Sequence, residues 1–139
     1  MVRLSAVQEQ TLLHAARSAY PHECCGLIIG HRQADGWVVD DIAASDNLSK
    51  TPEKAFEVDP RLRLQLQRDL RGSGQAIIGH YHSHPDGRAK PSETDRQMAW
   101  EEQMVWIIIA ATPDKADMAA FEYDESSESF LSHEMEVVA

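Results

Sequence analysis

His82-Ser83-His84 and Ser92-Glu93-Thr94-Asp95 place two imidazoles, a carboxylate and a hydroxyl in one short window. On a strand, residues i and i+2 point to the same face, so His82 and His84 can converge on one ion. The turn residues Pro85-Asp86-Gly87 let the chain fold back and bring Asp95 toward them. Nitrogen and oxygen ligands with one position left open describe a catalytic zinc site. Such a site lowers the pKa of a bound water to about 7. His80 continues the alternation, but i and i+4 on a strand lie about 13 Å apart. That span is too great for His80 and His84 to reach one ion at about 2.0–2.1 Å. The loop after the strand favours His82 and His84 over His80 and His82.

Ser92 and Asp95 also read as a helix cap, because Ser-x-x-Asp at a helix start resembles a capping box. An acidic residue in the first turn suits the helix dipole as well. The two readings are compatible, since Ser92 can start the helix while Asp95 projects toward the metal. A hydrolase of this kind needs a general base. Glu93 lies in the window, and Glu23 stands between a helix end and a strand start. Composition does not single out Glu23 from the other acidic residues.

The elements that must position these groups follow from hydrophobic spacing. A helix is expected from Ser5 to Tyr20, capped by Ser5 and ended by Pro21. Strands are expected at Cys24 to His31 and Gly36 to Ala44, then a polar loop from Ser45 to Lys54 and a brief strand at Phe56 to Val58. Pro60 opens a helix to about Arg71. Strands follow at Gln75 to His82 and Met104 to Ala111, with a helix from Ser92 to about Gln103 between them. Two more strands are expected near Met118 to Tyr123 and Ser129 to Val137. This order predicts a mixed sheet with packed helices, an α/β fold in the broad sense.

The chain has 139 residues, which suits a single domain, residues 1–139. Its net charge of -10 argues against a general nucleic-acid binder. No apolar run approaches the roughly 20 residues of a membrane span, and no secretory signal is evident. A cytoplasmic protein is expected. Cys24 and Cys25 are adjacent, so a disulfide between them is disfavoured, and the absence of CxxC excludes a zinc ribbon. Small residues at a strand start account for them.

The chain resembles the JAMM, or MPN-plus, metalloprotease family of compact bacterial type. The resemblance rests on Glu23, His82-Ser83-His84, the residues Pro85 to Pro91, and Ser92-Glu93-Thr94-Asp95. Pro21 to Leu27 looks like the segment around the family's glutamate, and Asn47, Pro52, Phe56 and Asp59-Pro60 resemble its intervening loop. The resemblance implies a cytidine-deaminase-like, MPN-type fold. It implies that His82, His84 and Asp95 bind one zinc ion with a water as fourth ligand. Glu23 would polarise that water and relay its proton, and Ser92 would hydrogen-bond the oxyanion.

The implied reaction is hydrolysis of a peptide or isopeptide bond after the C-terminal Gly of a ubiquitin-like or small β-grasp sulfur-carrier protein. An extended Gly-rich tail beside a strand edge is the expected binding mode. The short chain leaves little room for the insertions of linkage-selective relatives, so that selectivity is not expected. Two other readings use the same residues: a zinc amidohydrolase of a small amide, and a non-catalytic MPN-type interaction domain.

Overall fold

The computed structural model describes residues 1–98 and 104–139. Its elements are β1 (Val2–Ser5), α1 (Ala6–Ala19), β2 (Cys25–Gln33), β3 (Gly36–Ser45), α2 (Pro60–Asp69), β4 (Ala76–His84), α3 (Glu93–Met98), β5 (Val105–Ala111), β6 (Ala116–Asp124), β7 (Ser129–His133) and β8 (Met135–Val138). The strands form one eight-stranded sheet in the order β7-β6-β5-β4-β2-β3-β1-β8. The β4–β5, β1–β3 and β1–β8 pairs are parallel, and the remaining pairs are antiparallel. The expected mixed α/β class is what the molecule has. Among the described residues, no helix is long and apolar enough to cross a membrane.

α1 begins with the reciprocal cap that Ser5 foretold: Gln8 N donates to Ser5 Oγ, and Ser5 N donates to Gln8 Oε1. The helix buries Leu12 and Ala16 against Val2, Leu4, Ile28, Tyr81, Val105, Ile107 and Ile109. β5 is buried along its whole length, which explains its unbroken apolar run. β4 divides its side chains between two environments. Tyr81 faces the α1 core, while His80, His82 and His84 share the opposite face. Ile78 joins Tyr81 in the core because β4 carries an extra residue opposite Ile28–Ile29. A bulge of this kind re-aims side chains without ending the strand.

Several expected boundaries move. β4 runs through His84, two residues beyond the expected end, so both imidazoles stand on the strand itself. Phe56 to Val58 forms no strand; a lone bridge joins Asn47 to Val58. The third helix is described only to Met98, and its expected continuation to Gln103 lies outside the described residues. β1 occupies residues assigned only a cap at Ser5, since four residues show too little alternation to reveal a strand. The expected strand Ser129 to Val137 is two strands, β7 beside β6 and β8 beside β1. The sheet curls so that its ends meet. Val2 N donates to Glu134 O at 2.8 Å, at the junction between those two strands.

Gly79 shows how closely β4 and β5 approach. A Cβ there would collide with the Val105 carbonyl. Gly79→Ala is therefore expected to destabilise the fold by about 1–3 kcal/mol, as overpacking does. A denaturant midpoint unchanged from wild type would contradict this account of the β4–β5 contact.

Candidate metal centre

Three elements bring the site together. β4 supplies His82 and His84, α3 supplies Asp95, and the segment entering β2 supplies Glu23. All four side chains are buried. His82 Nε2 and His84 Nε2 lie 3.1 Å apart. Asp95 Oδ1 lies 3.1 Å from His82 Nε2, and Asp95 Oδ2 lies 3.0 Å from His84 Nε2. Ligands at about 2.0–2.1 Å in a tetrahedron sit about 3.3 Å from one another. The triangle is thus close to the size that one such ion requires. Glu23 offers a carboxylate oxygen within 4.8 Å of ligand atoms of both histidines.

Asp95 takes part in the expected helix cap and lies against both imidazoles. Ser92 N donates to Asp95 Oδ2 at 2.9 Å, and Asp95 N donates to Ser92 Oγ at 3.0 Å. This reciprocal cap fixes the carboxylate while leaving it against the two imidazoles. His84 is oriented from behind, since its Nδ1 lies 2.9 Å from the Arg88 carbonyl. An N–H donated there leaves the Nε2 lone pair for the site.

The electrostatics follow from burial and from these neighbours. Burial raises the Glu23 carboxyl to about 7, aided by the charges of Asp95 and Asp86 and opposed by His84. Burial works against ionisation of Asp95 too, but hydrogen bonds from His82, His84 and the Ser92 backbone, with the charge of His82, hold it well below the usual carboxylate range. Burial lowers His82, with Asp95 opposing. For His84, Asp95 and the Arg88 carbonyl outweigh burial, so its pKa rises. Among the described residues, no Lys or Arg forms an ion pair with Glu23 or Asp95. Glu23 Oε1 is buried without a hydrogen-bond partner among them. Two buried carboxylates without a Lys or Arg partner, facing two imidazoles, fit a divalent cation with nitrogen and oxygen ligands.

Sequence reasoning left the holder of Glu23 unassigned. Glu23 N donates to Pro52 O at 2.7 Å, and Asn47 Nδ2 donates to Glu23 O at 3.0 Å. The same Asn47 amide donates to Ala55 O, and its Oδ1 accepts from Ser49 N and Glu57 N, each at 3.0 Å. Polar residues in a loop carry no signal for such a knot, because their partners depend on the fold. The loop also brings Phe56 onto the imidazoles. Phe56, His80 and Trp106 help line a neighbouring cavity of about 540 Å³. Glu93, the other carboxylate in the window, is exposed and lies 4.0 Å from Arg96. Cys25 is buried, with burial pushing its thiol up to about 12, and Cys24 packs against the core.

This fold and site define a known class. Residues 5–124 match the family described as prokaryotic homologs of the JAB domain. The chain belongs to that family. It is similar to a Haloferax volcanii protein named desampylase, with 31% identity across 74% of this chain and 75% of that one. A Thermus thermophilus protein named "Probable TtuB-protein conjugate cleaving protease" is 33% identical across 66% of this chain and 59% of that one. The CysO-cysteine peptidase of Mycobacterium tuberculosis is 25% identical, covering 68% of this chain and 63% of the relative. The solution structure of a Desulfitobacterium hafniense protein superposes with a TM-score of 0.86 at 32% identity, covering 99% and 93% of the two chains.

The Asn47 knot leads to a specific expectation. Asn47→Ala removes all four of its hydrogen bonds and is expected to cost about 1–3 kcal/mol. Turnover should fall further than the unfolded fraction explains, because Glu23 loses its tether. Thermal unfolding and steady-state rates on one preparation separate the two effects. Full activity in folded protein would contradict the tether.

Proposed function

We propose that the chain hydrolyses the bond following the C-terminal glycine of a ubiquitin-like or small β-grasp sulfur-carrier protein, with zinc as its ion. The observation that carries this reading is the triangle of His82, His84 and Asp95 ligand atoms with the Glu23 carboxylate beside it. The names of three relatives support the substrate class: a desampylase, a conjugate-cleaving protease and a CysO-cysteine peptidase.

His82, His84 and Asp95 would hold the ion. Bound there, it supplies Lewis acidity and makes a coordinated water easier to deprotonate. Glu23 takes the proton of the attacking water and returns it to the leaving amine. Its carboxyl, raised to about 7 by burial, suits a group that must both accept and donate near neutral pH. Ser92 Oγ accepts from Asp95 N, which leaves its own O–H to donate. That proton serves the oxygen that becomes negative as the carbonyl is attacked.

The test is mass spectrometry of C-terminally extended β-grasp carriers and of ubiquitin fusions after incubation with the protein. Wild type should release a product ending in glycine, and chelation should abolish the release. Glu23→Gln should retain the metal and lose about 10²–10⁴-fold in turnover, the usual contribution of a general base. Loss of metal in that variant would make Glu23 a ligand instead. His84→Ala and Asp95→Ala should lose bound metal, read by elemental analysis; retention of a full equivalent would remove them from the ligand set. Metal binding without cleavage of any carrier would point to a small amide substrate or an interaction domain.

A further inference from the structure

The two imidazoles of the site are held in different ways. His84 is anchored through Nδ1 to the Arg88 carbonyl at 2.9 Å. His82 Nδ1 is buried and has no hydrogen-bond partner among the described residues. Metal-ligating histidines generally gain their orientation from a hydrogen bond at the second nitrogen. What fixes the His82 ring is a flat contact: Phe56 stacks on it at 4.2 Å between centroids and 15° between planes. His80 and Trp106 flank it at 5.5 and 5.8 Å. Phe56 is itself fixed, because Asn47 bonds the backbone on both sides of it, at Ala55 O and Glu57 N.

We propose that Phe56 is a positioning residue that orients His82 by ring stacking, where His84 is oriented by a hydrogen bond. The inference rests on the reading that His82 holds the metal. One loop then sets two groups of the site, Glu23 through Asn47 and His82 through Phe56. The Phe56 ring blocks rotation of the imidazole, so Nε2 stays aimed at its partners without a tether at Nδ1. Phe56 also lines the neighbouring cavity, and a role as a substrate wall is the rival explanation.

The test is Phe56→Leu, which keeps an apolar side chain but removes the flat face, beside Phe56→Tyr, which keeps it. Zinc affinity by chelator competition and the visible spectrum of cobalt-substituted protein are the readouts. Phe56→Leu should bind zinc about tenfold more weakly, the lower end for lost orienting partners, with an altered cobalt spectrum. Phe56→Tyr should restore both. Wild-type zinc affinity and cobalt spectrum in Phe56→Leu, with only KM raised, would overturn the proposal in favour of a substrate wall. If Phe56→Leu does not fold, Phe56→Ile serves the same comparison. His82→Ala is the control for the underlying reading: full zinc binding there would sink both, whereas zinc loss there with unaffected Phe56→Leu sinks only the positioning role.

Discussion

The placement of β4 between β2 and β5 is the constraint on which the rest of the structure depends. Hydrogen bonding on both sides fixes its register, pairing Cys25 with His82 and His82 with Ile108. Because side chains alternate across the pleat, that register decides which residues meet α1 and which meet Asp95 and Glu23. A slip of one residue would carry Tyr81 to the site and the imidazoles into the apolar core. Such a slip is opposed by the fully buried neighbours Ile107, Ile108 and Ile109. The strand that carries His82 and His84 is thus among the most deeply embedded, and rigid elements place functional groups more precisely than loops do.

The site is an electrostatic liability within that frame. Glu23 and Asp95 are 5% and 3% exposed, yet no described Lys or Arg pairs with them. Elsewhere the chain pairs its carboxylates at the surface, as Asp35 with Arg3 and Asp59 with Arg61. Among the described residues Asp95 meets only the two imidazoles and Ser92, and taking an ion out of water costs several kcal/mol even after relaxation. A fold selected for stability alone would remove such groups or give them cations. Two buried carboxylates beside two imidazoles, where three elements converge, suit a divalent ion, and strongly shifted carboxyls in such settings mark function.

Much of this was legible in the sequence, but unevenly. That His82, His84 and Asp95 come together was readable because their spacing carries local physics: alternation on a strand, a turn and a cap. β5 was readable from its uninterrupted apolar run, and α1 from Ser5 and the spacing of Leu12 and Ala16. β1 was not, because it is four residues long and is specified by pairing with β3 and β8, and the break that separates β8 from β7 was not visible either. Glu23 shows the intermediate case. Its backbone position between helix and strand was visible, but its approach to β4 depends on partners far along the chain. Resemblance to a family supplied the pairing that periodicity could not.

The segment between β3 and α2 is where local pattern says least and the site depends most. It contains no strand, yet Pro52 and Asn47 hold the backbone of Glu23, and Phe56 lies flat on His82. A loop that only joined two elements would have no need of a side chain bonded at both ends or of an aromatic turned inward. Here the hydrogen-bonded knot stands in for regular structure, since Asn47 satisfies both the donors and the acceptors of the turn around it. Glu23 and one imidazole are therefore set by a single cooperative unit. A disturbance of that loop reaches both at once, while His84 and Asp95, anchored by Arg88 and Ser92, stand outside it.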